Sequence, residues 1–196
     1  MSERWAKVDK VLQEVFFITG NKQKLREVEA ILGTMRHVDL DLPELQELEP
    51  RKVVIAKAQA ALNQGYSPVL IDDTSLSLPA LNGLPGPLIK WFLKALGGEG
   101  VYQLAASKSD CRAEVRTIFG LALGPQTFLY GEGVVQGEVV HPRGSGFGWD
   151  SIFCPTGSAK TMGEMTLEEK NQCSMRVKAL HDLRAQLERF HQRGNG

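Results

Sequence analysis

The 196-residue chain is poor in cysteine and aromatic residues and carries no charge excess, and each lack removes a class of protein. Its three cysteines, Cys111, Cys154 and Cys173, are odd in number and far apart. That excludes a disulfide framework and any metal-type cysteine spacing, and predicts a reduced, cytoplasmic protein. Lys and Arg total 23 and Asp and Glu total 23, so the basic excess of a general nucleic-acid binder is missing. No apolar run approaches a membrane span, and residues 1–14 are charged and lack the apolar core of a signal peptide. No partnership with nucleic acid or membrane is expected. Internal repeats, low-complexity tracts and linkers are absent too, which predicts one domain over residues 1–196. The phosphate-binding spacings Gly-x4-Gly-Lys-Ser/Thr and Gly-x-Gly-x-x-Gly do not occur.

What is there is an ordinary globular composition, 42% hydrophobic and 23% charged. Residues 15–18 are continuously apolar, as in a strand covered on both faces. Leu25, Val28, Ile31 and Leu32 follow with helical spacing, and Gly33 is a stop. A second strand is predicted over residues 38–42, a helix over 51–63 closed by Gly65, and a third strand at 69–71 that ends in Asp72-Asp73-Thr74. Residues 81–87 form a turn-rich loop; 88–96 and 101–106 read as two helices. Residues 114–123 and 127–136 pair as a hairpin, which Val139-Val140 extends, and 142–150 is a glycine-rich loop. Val177, Leu180, Leu183, Leu187 and Phe190 mark a C-terminal amphipathic helix, with residues 194–196 fraying beyond it. The pattern is mixed α/β: strand–helix units first, an antiparallel patch next, a closing helix last.

Chemistry concentrates in a few places. The turn Thr19-Gly20-Asn21 joins a strand to a helix start, where free N–H groups and a partial positive charge suit a phosphate. Thr19 and Asn21 add donors, and Lys22 and Lys24 add cations; equally, Asn21 alone makes a helix cap. Asp72-Asp73 at a strand end suits Mg²⁺, or is a solvated turn; alternation along a strand gives the two carboxylates different faces and so different roles. Glu44 is a second acid after a predicted strand. Lys57 and Lys90 are cations beside apolar neighbours. Phe147-Gly148-Trp149-Asp150 places two aromatics in a glycine-rich loop, where they either stack on a base or plug the core edge.

These blocks occur in an order that resembles the inosine triphosphate pyrophosphatase (Ham1-like) family, its eukaryotic branch above all. They are Thr19-Gly20-Asn21-x-x-Lys24, Asp41-Leu42-Pro43-Glu44, Asp73-Thr74, and Gly83-Leu84-Pro85-Gly86-Pro87 with Lys90-Trp91-Phe92. Pro142-Arg143-Gly144, Phe147-Gly148-Trp149-Asp150, Glu169-Lys170-Asn171 and Ser174-x-Arg176 complete the set. The resemblance implies an elongated mixed sheet in two lobes around a central cleft, and a homodimer. It implies Mg²⁺-dependent (or Mn²⁺-dependent) hydrolysis of ITP, dITP and XTP to monophosphate and pyrophosphate. By position, Thr19, Gly20, Asn21, Lys22, Gln23 and Lys24 would hold the triphosphate, Lys24 facing it more than Lys22, with Lys57, Thr74 and Lys90 beside them. Glu44 and Asp73 would bind the metal, and Asp73 would activate the attacking water. Phe147, Gly148, Trp149 and Asp150 would enclose the base, and Lys170, Met175 and Arg176 would complete its pocket. Two positions depart from the family: Asp72 replaces a Glu, and Met175 replaces a His, which retains a backbone role there but not an imidazole.

With zero net charge, the positive potential a triphosphate needs has to be local. Arg and Lys are donors only, so a pocket built on Lys170 and Arg176 favours an oxopurine O6 over the adenine amino group. Cys154 and Cys173 have no activating partner in the sequence and read as inert packing. The rival readings are a Maf-like pyrophosphatase with another base preference and a non-catalytic nucleotide-binding protein.

Overall fold

The computed structural model describes residues 3–194. A first helix, α1 (Glu3–Gln13), precedes β1 (Phe16–Ile18), and α2 (Lys22–Leu32) follows at once. Asn21 caps α2, its side chain accepting from the N–H groups of Gln23 and Lys24, and Gly33 at φ 79° ends it. Then come β2 (Arg36–Val38), α3 (Pro50–Asn63), β3 (Val69–Ser77) and β4 (Pro85–Gly86). The chain continues through α4 (Ile89–Ala106), β5 (Arg112–Gly124), β6 (Thr127–Val139), β7 (Phe153–Pro155), α5 (Leu167–Cys173) and α6 (Met175–Gly194).

The strands form one mixed sheet in the order β2-β1-β3-β5-β6-β7, with β4 beside β3. β2, β1 and β3 run parallel; β3, β5, β6 and β7 are antiparallel to their neighbours. Helices α1, α2 and α6 bury one face around Phe17, Leu70 and Phe119, and α3 buries the other around Ile18, Ile71 and Ile118. A third cluster, around Leu76, Val115, Ile152 and Phe153, fills the second lobe with α4. The two-lobed α/β expectation is therefore met.

The sheet forks along one edge of β3. β1 pairs with Val69 and Leu70, and β4 pairs with Leu76 and Ser77. Between them residues 71–75 have a strand neighbour on the β5 side alone. That gap is where the cleft opens.

Several expectations need correction. β3 does not stop at Asp72-Asp73; β5 pairs with it residue by residue to Ser77 and keeps it extended. The second strand covers Arg36–Val38 rather than 38–42, because the three-residue β1 offers it a ladder no longer than that. The two helices of 88–106 form one element, bent at Gly97 (φ 68°, ψ 177°). Helices α1 and α5 and strands β4 and β7 were not anticipated; the strands are too short to show a period. Gly194 belongs to α6, while Asn195 and Gly196, the rest of the predicted frayed tail, lie outside the described residues, as do Met1 and Ser2. Among the described residues no helix is long and apolar enough to cross a membrane.

Candidate active site

A cavity of about 1060 Å³ fills the fork. Residues 18–24 and 39–42 form one wall, 71–74 the floor, and 87–91 with 147–149 the other wall. The anticipated Thr19, Gly20, Asn21, Lys22, Gln23, Lys24, Glu44, Lys57, Asp73, Thr74, Lys90, Phe147, Gly148 and Trp149 all line it. Asp150, Lys170, Met175 and Arg176 lie outside that lining. Met175 is buried in the core of the second lobe instead.

The β1–α2 turn serves as a helix cap and as a cavity wall at once. Thr19 Oγ1 accepts from the Asn21 N–H at 3.1 Å, and Asn21 Oδ1 accepts from Gln23 and Lys24 at 3.0 and 3.3 Å. Thr19 N–H donates to Val38 O at 3.1 Å, and His37 Nε2 stands 2.7 Å from Thr19 O. A Cβ on Gly20 would sit 2.9 Å from Asp39 Oδ1, so glycine lets the segment after β2 close against the turn. Lys24 turns inward to Asp72 Oδ2 at 3.1 Å, whereas Lys22 is exposed.

On the floor, alternation sends the two aspartates to opposite faces. Asp72 shares its face with Phe119 across the ladder and meets Lys24 and, at 3.6 Å, Arg176 Nη2. Burial works to raise its pKa, but Lys24 and Arg176 outweigh that and hold it low. Asp73 faces α3, where Lys57 Nζ donates to Oδ1 at 2.7 Å. Its Oδ2 is buried without a hydrogen-bond donor. Burial pushes the Asp73 pKa up, and the charges of Lys57 and Lys24 offset only part of that. Lys57 is raised as well: burial opposes its charge, but Asp73 prevails and keeps it protonated. At the mouth, Lys90 Nζ donates to Glu44 Oε2 at 2.8 Å, and Lys90 and Lys94 both lie 5.6 Å from the Trp91 ring centroid.

Behind the floor lies a buried ion-pair chain whose centre, Glu27, was not anticipated. Glu27 accepts from Lys170 Nζ at 2.8 Å and pairs with Arg176 Nη1, and Lys170 also donates to Asp150 Oδ2 at 2.8 Å. Asp150 Oδ2 in turn accepts the Phe147 N–H at 3.1 Å, fixing the loop that presents the half-exposed Phe147 ring. Burial opposes ionisation of Glu27, yet Arg176 and Lys170 lower its pKa; burial likewise opposes charge on Lys170, yet Asp150 and Glu27 raise it. The one sequence signal for Glu27 is an acid beside the apolar stripe of α2. Arg176 is seated there because α6 lies close on β6: a Cβ on Gly133 would fall onto the Met175 carbonyl.

Six basic and five acidic side chains line the cavity, so the local positive charge is nearly cancelled. Among the described residues no three His, Cys, Asp or Glu side chains converge as a metal cluster. Two carboxylates with one buried oxygen lacking a donor fit a cation that takes its remaining ligands from phosphate and water, as Mg²⁺ does. Burial raises the thiols of Cys111 and Cys173, in keeping with inert packing.

A forked α/β sheet whose cleft is walled by a strand–turn–helix and floored by two aspartates forms a pocket large enough for a small-molecule ligand. The chain belongs to the Ham1 family, whose model matches residues 15–186. It is 45% identical over 183 residues to the inosine triphosphate pyrophosphatase of Schizosaccharomyces pombe, covering 91% of this chain and 97% of that protein. Among solved structures, a HAM1 protein from Coxiella burnetii superposes with a TM-score of 0.75 at 28% identity, over 89% of this chain and 98% of that one. A nucleoside-triphosphatase (dITP/XTP pyrophosphatase) from Mycobacterium abscessus matches with a TM-score of 0.65 at 28% identity, over 86% and 97%.

Proposed function

We propose that this chain hydrolyses deaminated purine nucleoside triphosphates (ITP, dITP and XTP) to the monophosphate and pyrophosphate, clearing them from the nucleotide pool. The observation that carries the reaction is Asp73: a carboxylate in the cleft with Oδ1 anchored by Lys57 and Oδ2 buried without a donor. The names of the S. pombe and M. abscessus relatives support the substrate class.

In this reading Lys24, Lys57 and Lys90 hold the triphosphate at the β1–α2 turn. Lys57 fixes the Asp73 carboxylate, and Asp73 Oδ2 takes the proton of a water that attacks the α-phosphorus. Its raised pKa suits a base that must accept that proton. Pyrophosphate departs, and the chain's part is placement and charge neutralisation, with no covalent intermediate. Glu44 and Asp73 would hold Mg²⁺, or Mn²⁺ in its place. The bound ion would offset phosphate charge and acidify water, a need sharpened by the nearly balanced cavity.

At the base end, Phe147 stacks and Trp149 closes the pocket. Arg176 Nε is buried without an acceptor, and an oxopurine O6 supplies one where the adenine amino group does not. A homodimer in the cytoplasm completes the reading; light scattering of the purified chain tests the dimer. The decisive assay incubates the chain with Mg²⁺ and a panel of nucleoside triphosphates and measures pyrophosphate against phosphate. Pyrophosphate from ITP and XTP, with little from ATP, is expected. Phosphate alone would sink attack at the α-phosphorus, and no turnover of any nucleotide would sink the enzyme.

A further inference from the structure

We propose that Asp72 is a positioning residue that couples the two ends of the cleft, one carboxylate oxygen holding both the lysine of the phosphate turn and the arginine of the base end. The inference rests on the function proposed above. Lys24 Nζ and Arg176 Nη2 lie 3.1 and 3.6 Å from the same atom, Asp72 Oδ2, whose side chain is 1% exposed. Lys24 and Asp72 line the cavity; Arg176 does not. From Arg176 the ion pairs run on through Glu27 and Lys170 to Asp150, and so to the Phe147 backbone.

A shared counter-ion makes its two cations interdependent. Each cation's hold on Oδ2 depends on how strongly the other engages it, and burial keeps water from relaxing the competition. A base that draws on Arg176 therefore changes where Lys24 stands against the triphosphate. Base identity is then felt in turnover as well as in binding. Asp73, on the opposite face of the same strand, takes no part in this bridge.

The test is a double-mutant cycle on ITP hydrolysis, with Lys24→Ala, Arg176→Ala and the pair, in chains carrying Asp72 or Asp72→Asn. With Asp72 present, the two losses in kcat/KM are non-additive by at least about fivefold. With Asp72→Asn they become additive to within about twofold. Asp72→Glu, which keeps a carboxylate, retains the non-additivity and serves if the Asn variant does not fold. Additive losses with Asp72 present overturn the bridge; so does non-additivity undiminished in Asp72→Asn, or additivity in a folded Asp72→Glu chain. The ITP-to-ATP preference of Arg176→Ala is read separately. If it is unchanged, the base reading falls, while the cycle, run on ITP alone, still decides the bridge. No ITP turnover by the unaltered chain removes both.

Discussion

At the mouth of the cleft Lys90 and Glu44 pair with side chains 65% and 35% exposed, whereas behind its floor Glu27, Lys170 and Arg176 pair with side chains no more than 8% exposed. Both regions match basic groups with acids, but water is present at one and excluded from the other. An exposed pair is screened and contributes little, so a ligand can separate it at small cost. A buried pair has already lost its hydration, and removing one partner strands the other. The mouth is thus built to exchange partners, and the deep end to hold a shape. Asp73 stands between them: as buried as the deep end, yet with one oxygen left free.

The largest expected effect is at the deep end. Glu27→Ala takes one of two partners from each of Lys170 and Arg176, leaving Asp150 and Asp72, and should cost about 3 kcal/mol of stability, lowering the thermal midpoint by roughly ten degrees. A midpoint within about two degrees of the unaltered chain would erase the contrast between the regions. The pH dependence has a definite sign. The folded pKa of Glu27 lies below its ordinary 4.5, so its contribution is complete above that value and is lost as pH falls through the folded pKa. Glu27→Gln should therefore flatten the acid limb of a stability profile run from pH 7 to pH 3; an unaltered limb would place the charge elsewhere.

Next is Asp73→Asn, which should lower turnover of ITP by at least about a hundredfold with little change in KM. Near-normal turnover would remove Asp73 from the chemistry. Arg176→Ala should lower the ITP-to-ATP preference by about tenfold, more than it lowers turnover of ITP. An unchanged preference would leave the deep end a scaffold without a reading role. The smallest effect belongs to the mouth. Lys90→Ala should change stability by less than about 1 kcal/mol, while KM for ITP rises and the rise shrinks with added salt. A stability loss as large as that of Glu27→Ala would show that the mouth is not exchangeable.

Much of the cleft was legible in the sequence because its walls are local. Thr19 to Lys24 are contiguous, and the cap of α2 follows from Asn21 within one turn. The alternation that separates Asp72 from Asp73 is a property of any strand, so their different faces followed once they lay in one. The end of that strand was misplaced because pairing with β5, 37 to 53 residues away in sequence, decides how far β3 stays extended. Glu27 escaped notice because its partners lie 143 and 149 residues along the chain. His37 and Asp39, which brace the turn, escaped for the same reason.

By itself the sequence determined the elements with a clear period, the donor-rich turn and the set of charged side chains, since propensity, capping and charge act over a few residues. The tertiary structure alone decided which charges became partners and which buried oxygen was left without one. It placed Lys170 and Arg176 behind the floor and left Asp73 Oδ2 without a donor, because burial and pairing depend on helices from both ends of the chain closing over one strand.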